Sequence, residues 1–146
     1  IGMCTGNLYE TYRALIKKNK IDNQVYFPNR FFSDSELTEI SKTCQVGIAV
    51  YDITPESATY YTDPGKVKTY AALGLPIIMS NVSAIAPYIK KFGCGILITQ
   101  DFKELAEALL DMKKNYGEYL KGLERFNKYF YYADYYRRKF NFLEKI

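Results

Sequence analysis

Residues 63–78 read DPGKVKTYAALGLPII, and this segment carries the clearest structural signals in the chain. It carries the signals of a helix with both ends marked, followed at once by a buried strand. Asp63 is a residue type that caps helix N-termini, and Pro64 suits the first helical turn. Gly74 predicts the end of the helix, and Pro76 prevents the helix from continuing.

A lysine stands in the first turn of this predicted helix. The helix dipole favours anions at that end, so cations are uncommon there. Lys66 is therefore either tolerated on the surface or paired with a bound anion such as a phosphate. The local pattern leaves both interpretations open.

Strands and helices alternate along the rest of the chain. The predicted strands lie at 25–27, 46–50, 77–80 and 95–98, and the predicted helices lie at 7–19, from Ser33, from Asp63, at 84–91 and from Asp101. This alternation predicts a parallel, doubly wound sheet, in which ligands bind beyond the carboxyl ends of the strands. Residues 52–62 form a polar loop at that edge. The loop is longer than the usual connection of about 2–6 residues, which favours a functional role.

Composition excludes several classes of site. The 146 residues suit one domain, and the net charge of +4 does not by itself imply nucleic acid. The chain has no histidine, which excludes Ser-His-Asp chemistry, Cys-His chemistry and histidine-ligated metal within it. Its three cysteines are far apart and indicate reduced thiols in a cytoplasmic protein. No signal peptide and no membrane-spanning run is visible.

The pattern P-x-K-V-x-x-Y-A-A-x-G-L-P-I-I resembles the donor-site segment of retaining GT-B glycosyltransferases, of the glycosyltransferase group 1 type. The order of the other segments is similar to that family's C-terminal domain over residues 1–115. Ile1-Gly2 and residues 22–27 resemble its second and third strands. Glu36-Leu37 and residues 44–48 resemble the next helix and strand, and residues 93–98 resemble the strand that follows. The resemblance implies an α/β fold, the C-terminal half of a GT-B fold, with a Rossmann-like doubly wound parallel sheet and C-terminal helices.

The resemblance also implies a division of the chain and a mechanism. Residues 1–116 would bind a nucleotide sugar, with a first strand and helix missing upstream, and residues 117–146 would form an aromatic and basic helical tail. The domain would hold a nucleoside-diphosphate sugar, while an N-terminal domain of the same protein brings a glycan, lipid or protein acceptor. The reaction would be a retaining hexosyl transfer without metal or cofactor, and the fragment would be inactive without its N-terminal half.

Site residues follow from the resemblance residue by residue. Lys66 would neutralise the diphosphate, beside the backbone amides that follow Asp63 and Pro64. The loop that ends at Asn29 and Arg30 would meet the nucleobase. The remaining candidates are Gly65, Thr69 and Tyr61.

This chain departs from the family pattern at two of these positions. Many members have a ribose-binding Glu where this chain has Thr69. An upstream Glu would fall near Tyr61, so it is absent here or displaced to Glu56. A threonine hydroxyl can replace only part of what a carboxylate does for the ribose. The sequence identifies no catalytic residue.

The tail from Tyr119 interleaves basic and aromatic residues. It could pack on the body of the protein or its partner domain, lie peripherally at a membrane, or stack on bases. Leu120, Leu123, Phe126 and Phe130 favour a helix with one packed face and no role with nucleic acid. Two other functions stay open: a sugar-nucleotide epimerase on the same scaffold, and a non-enzymatic interaction module that uses this Tyr/Arg tail.

Overall fold

The computed structural model describes residues 6–140, and for Tyr132, Tyr136, Lys139 and Phe140 it describes the backbone alone. The chain divides into two compact units, Ile1–Ile40 and Ser41–Ile146. The predicted strand at Ile1-Gly2 and residues 141–146 of the predicted tail lie outside the described residues. The proposed boundary between residues 116 and 117 stays a prediction.

Two helices organise the first unit: α1 spans Asn7–Lys18, and α2 spans Asp34–Ser41. The predicted capping box at the start of α2 is confirmed. The Ser33 amide donates to Glu36 Oε2 at 2.8 Å, and the Glu36 amide donates to Ser33 Oγ at 3.3 Å. Two amides of the first turn that lack helical partners are thereby satisfied.

The prediction of a strand at residues 25–27 is wrong, because these residues adopt no regular structure. Phe27 instead packs on α1. Its ring stacks on Tyr9 with centroids 5.5 Å apart, and it meets Tyr12 edge-on at 5.8 Å. Apolar residue types suit a strand only when a neighbouring strand accepts their backbone hydrogen bonds, and a helix face can bury them equally well.

The second unit is built on a three-stranded parallel sheet in the order β1-β2-β3. Its elements are β1 Gly47–Ala49, α3 Ala58–Tyr61, α4 Gly65–Ala72, β2 Ile77–Ser80, α5 Ala86–Phe92, β3 Gly95–Ile98, α6 Phe102–Lys114, α7 Tyr116–Phe130 and α8 Tyr132–Phe140. Gly47 pairs with Ile77, which in turn pairs with Gly95. The α/β class and the strands predicted at these positions are confirmed, and the GT-B arrangement stays a prediction.

Helices cover the two faces of this sheet. On one face, the β2 side chains Ile77 and Met79 pack with residues of α4, α5 and α7. On the other face, Ile78 packs with Ala108 and Met112 of α6. The central strand β2 is fully buried, which explains its apolar run Ile77-Ile78-Met79.

Gly74 ends α4, as the sequence predicts. It has a positive φ of 79°, which a residue without a Cβ adopts at little cost. Its amide donates to the Ala71 carbonyl at 3.1 Å, and the Leu75 amide donates to the Tyr70 carbonyl at 3.0 Å. These two bonds are those of a Schellman motif, and they turn the chain directly into β2.

The first tail helix, α7, packs on the second unit through one face. Leu123 and Phe126 are buried, and Leu120 and Phe130 are partly buried, so the predicted packed face is confirmed. Gly122 lies so close to the end of α5 that a Cβ there would be 2.1 Å from the Gly93 carbonyl oxygen.

Polar side chains of α7 also bond to the ends of other helices. Arg125 donates to the Phe92 carbonyl at 3.0 Å, and Asn127 donates to the Ala71 carbonyl at 2.8 Å. The α7 helix is therefore part of the folded body of this unit.

Candidate functional site

At the carboxyl edge of the sheet, side-chain hydrogen bonds converge on the backbone of Tyr51. Ser80, the last residue of β2, is fully buried. Its Oγ accepts from the Tyr51 amide at 2.8 Å and donates to the Tyr51 carbonyl at 2.9 Å. Gln100, which follows β3, donates its side-chain amide to the same carbonyl at 3.3 Å. Segments leaving all three strands therefore meet at Tyr51.

The long connection from β1 to α4 is more ordered than a polar loop, and that prediction is corrected. It contains the single-turn helix α3, which begins after Ser57. The Ser83 amide donates to the Tyr60 carbonyl at 2.9 Å, and the Ala84 amide donates to the Thr62 carbonyl at 3.3 Å. The connection is thus held against the segment that leaves β2.

The N-terminus of α4 begins one residue later than the sequence suggests. Pro64, not Asp63, is the N-cap residue, and no side chain caps this end. The first turn has no acidic residue. Within the part of the chain that the structure describes, the amides of Gly65 and Lys66 have no acceptor. A Cβ built on Gly65 meets nothing within 4 Å, so this helix end is open.

Two lysines of this helix end differ in their partners. Lys68 forms an ion pair with Asp63 at 2.5 Å, which explains why the Asp63 carboxylate does not cap the helix. Lys66 has no carboxylate within 4.0 Å among residues 6–140. Its Nζ lies 5.2 Å from the centroid of the Tyr51 ring. The structure therefore presents an exposed, unneutralised cation beside free amides.

Tyr51 supplies an uncharged surface to that cation. Its ring packs against the core cluster that contains Val67. Burial raises the pKa of the phenol to about 12, with a smaller contribution from Tyr70. The hydroxyl is buried and has no hydrogen-bond partner among the described residues. At neutral pH, Lys66 thus faces a neutral aromatic ring.

The other predicted site residues are placed as follows. Thr69 is exposed on α4, and its hydroxyl donates to the Gly65 carbonyl at 3.2 Å, which leaves its oxygen able to accept. Tyr61 is exposed at the end of α3, and its ring contacts Tyr60 with centroids 4.9 Å apart. The structure thus gathers Asp63, Pro64, Gly65, Lys66 and Thr69 around one helix end.

Asn29 and Arg30 belong to the first unit. Arg30 forms an ion pair with Glu36 at 2.8 Å and lies 4.3 Å from the centroid of the Phe32 ring. The pKa of Glu36 is lowered by the Ser33 amide and then by Arg30. Asn29 is exposed. Their contact with a nucleobase stays a prediction.

A groove of about 430 Å³ lies between β3, α6 and Tyr119, and it contains none of the predicted site residues. Glu104, Glu107 and Asp111 line it. Glu104 accepts from the Thr99 amide at 2.6 Å, and Asp111 accepts from the Tyr119 hydroxyl. Carboxylates repel an anionic ligand, so the groove does not suit a diphosphate.

The family model described as glucosyltransferase 3-like, C-terminal domain, matches residues 7–141. The chain therefore belongs to this family of glycosyltransferase C-terminal domains. No curated protein and no solved structure matches the chain. Among the described residues, no helix is long and apolar enough to cross a membrane.

Proposed function

We propose that this chain is the donor-binding domain of a retaining GT-B glycosyltransferase and holds a nucleoside-diphosphate sugar at the N-terminus of α4. Membership of a glucosyltransferase-like family supports sugar transfer as the reaction class. The observation that carries the proposal is the contrast between Lys66 and Lys68. Lys68 is neutralised by Asp63, whereas Lys66 keeps its charge beside the free amides of the first turn.

The proposed role of this helix end is to stabilise the departing diphosphate. Negative charge grows on that group as its bond to the sugar breaks, and fixed donors aimed at the charge lower the barrier. Lys66 supplies a cation, and the amides of Gly65 and Lys66 supply hydrogen bonds. Because these groups neutralise the leaving group, the proposal requires neither metal nor cofactor. The acceptor would be brought by an N-terminal domain of the same protein.

Calorimetry of the full-length protein with a panel of nucleoside diphosphates tests the site. Lys66→Ala should weaken binding by about 1.5–3 kcal/mol, the scale of a hydrogen bond to a charged group. Lys68→Ala is the matched control from the same helix end. It should cost less, because the Lys68 ammonium is held by Asp63 and is not available to donate to the ligand. Unchanged affinity in Lys66→Ala would refute the assignment.

Product analysis separates the proposed reaction from its alternatives. A transferase links the sugar to an acceptor, whereas an epimerase returns an altered nucleotide sugar. The anomeric configuration of the product, measured by NMR, tests retention. Nucleotide-independent partner binding that is lost with the tail would instead support the interaction module. A cytoplasmic location and a peripheral membrane contact remain predictions.

A further inference from the structure

The backbone of Tyr51 is held more firmly than its place in a long connection would require. The buried Ser80 hydroxyl bonds to both its amide and its carbonyl, and Gln100 bonds to the same carbonyl. These contacts fix the position of the backbone that carries the Tyr51 side chain.

The ring of Tyr51 contacts both the core and Lys66. It packs against the cluster that contains Val67, the residue next to Lys66, and Lys66 Nζ lies 5.2 Å from its centroid. The Tyr51 hydroxyl is buried and has no hydrogen-bond partner among the described residues. Lys66 is therefore contacted by the ring of Tyr51 and not by its hydroxyl. An aromatic face attracts an ammonium group at this distance.

A cation held by a ring differs from a cation held by a carboxylate. The ring restricts a side chain that otherwise rotates freely, and it adds no negative charge. Lys68 also lies near a ring, with its Nζ 5.7 Å from the centroid of Phe130, but Asp63 pairs with Lys68 and neutralises it. A lysine that must meet an anionic ligand is better served by the ring.

We infer that Tyr51 is a positioning residue for Lys66, and that Ser80 fixes Tyr51 for this purpose. The inference rests on the function proposed above for Lys66. Tyr51 acts on the ligand only through Lys66, so its effect should disappear when Lys66 is absent. This dependence distinguishes a positioning role from a general contribution to folding.

A double-mutant cycle in the full-length protein tests this dependence. The probes are inorganic pyrophosphate and the nucleoside diphosphate of the panel that binds most tightly. Tyr51→Leu should weaken binding of both probes by about two- to fivefold, the range of an exposed cation–π contact. Tyr51→Phe keeps the ring and should restore most of the affinity. Adding Tyr51→Leu to Lys66→Ala should cause no further loss.

The outcomes separate this inference from the proposed function. If Lys66→Ala binds the probes as tightly as the wild type does, both the proposed diphosphate site and the positioning role of Tyr51 are wrong. If Lys66→Ala binds weakly and the losses of affinity in the two single variants add in the double variant, only the positioning role of Tyr51 is wrong. Should Tyr51→Leu not fold, NMR of the wild type decides the question. Lys66 ε-methylene resonances shifted upfield by the ring are expected, and unshifted resonances would overturn the inference.

Discussion

The side chain of Ser80 bridges the two backbone polar groups of Tyr51, with hydrogen bonds of 2.8 and 2.9 Å. Removing the hydroxyl in Ser80→Ala leaves the part-buried Tyr51 amide without this partner and leaves the Tyr51 carbonyl only its bond from Gln100. The free energy of unfolding should fall by about 1–3 kcal/mol. Urea denaturation at neutral pH measures the loss.

Ser83→Ala is the control for this prediction. The Ser83 hydroxyl is also buried, but it has no partner within the described ranges. Its removal should not lower the free energy of unfolding, because no hydrogen bond is lost and a buried polar group without a partner is itself unfavourable. Equal losses in the two variants would contradict the role assigned to the Ser80 bonds.

Thr69→Val tests whether the hydroxyl on α4 recognises ribose. The side chain is exposed, so the melting temperature should change little. Nucleoside diphosphate affinity should fall about two- to tenfold, the value of one neutral hydrogen bond. Pyrophosphate has no ribose, so its affinity should stay the same. A lower melting temperature with constant affinity would show that Thr69 is a structural residue.

Two glycines of α7 should respond oppositely to alanine. Gly122 is buried, and a Cβ there would be 2.1 Å from the Gly93 carbonyl oxygen. Gly122→Ala should therefore destabilise the protein by about 1–3 kcal/mol, as overpacking does. Gly117 has nothing within 4 Å of its Cβ position. Gly117→Ala should be neutral or stabilising by up to about 1 kcal/mol through helix propensity. Thermal and urea unfolding of both variants measure the difference, and a stabilised Gly122→Ala would contradict the close packing of α7.

Tyr119 should make the fold sensitive to alkali. Burial, followed by the hydrogen bond to Asp111, raises its pKa from 10.0 to about 12. A raised pKa means that the unfolded chain loses this proton first. The stabilisation is therefore present below pH 10 and is lost as pH rises towards 12.

Tyr119→Phe should isolate this effect. At neutral pH the variant should be less stable by about 1 kcal/mol, because the bond to Asp111 is lost. The difference in the free energy of unfolding between the variant and the wild type should shrink as pH rises, since phenylalanine does not ionise. Urea midpoints at a series of pH values check this, and a constant difference between the two proteins would contradict it.

Local signals in the sequence predicted much of the fold. The Gly74 stop, the Ser33-Glu36 capping box and the apolar run of β2 each depend on neighbouring residues, and each is found. The strand predicted at 25–27 failed because strand formation depends on a partner far along the chain.

The site was only partly visible in the sequence. Its motif placed Lys66 at a helix N-terminus, which the structure confirms. The sequence predicts that Asp63 caps the helix, but the Asp63 carboxylate forms an ion pair with Lys68 instead. The sequence does not identify Tyr51 and Ser80 as site residues, although Ser80 places a hydroxyl at the end of an apolar run. Their contact spans two strands, so no local pattern reports it.

The bond from Asn127 of α7 to the Ala71 carbonyl has a consequence for protein engineering. Ala71 lies in the last turn of α4, the helix whose first turn carries Lys66. A chimera that exchanges residues 41–115 alone would separate α4 from the α7 side chain that anchors its far end. The exchangeable module therefore extends through α7, and swaps intended to transfer ligand specificity should place their junction after Phe130.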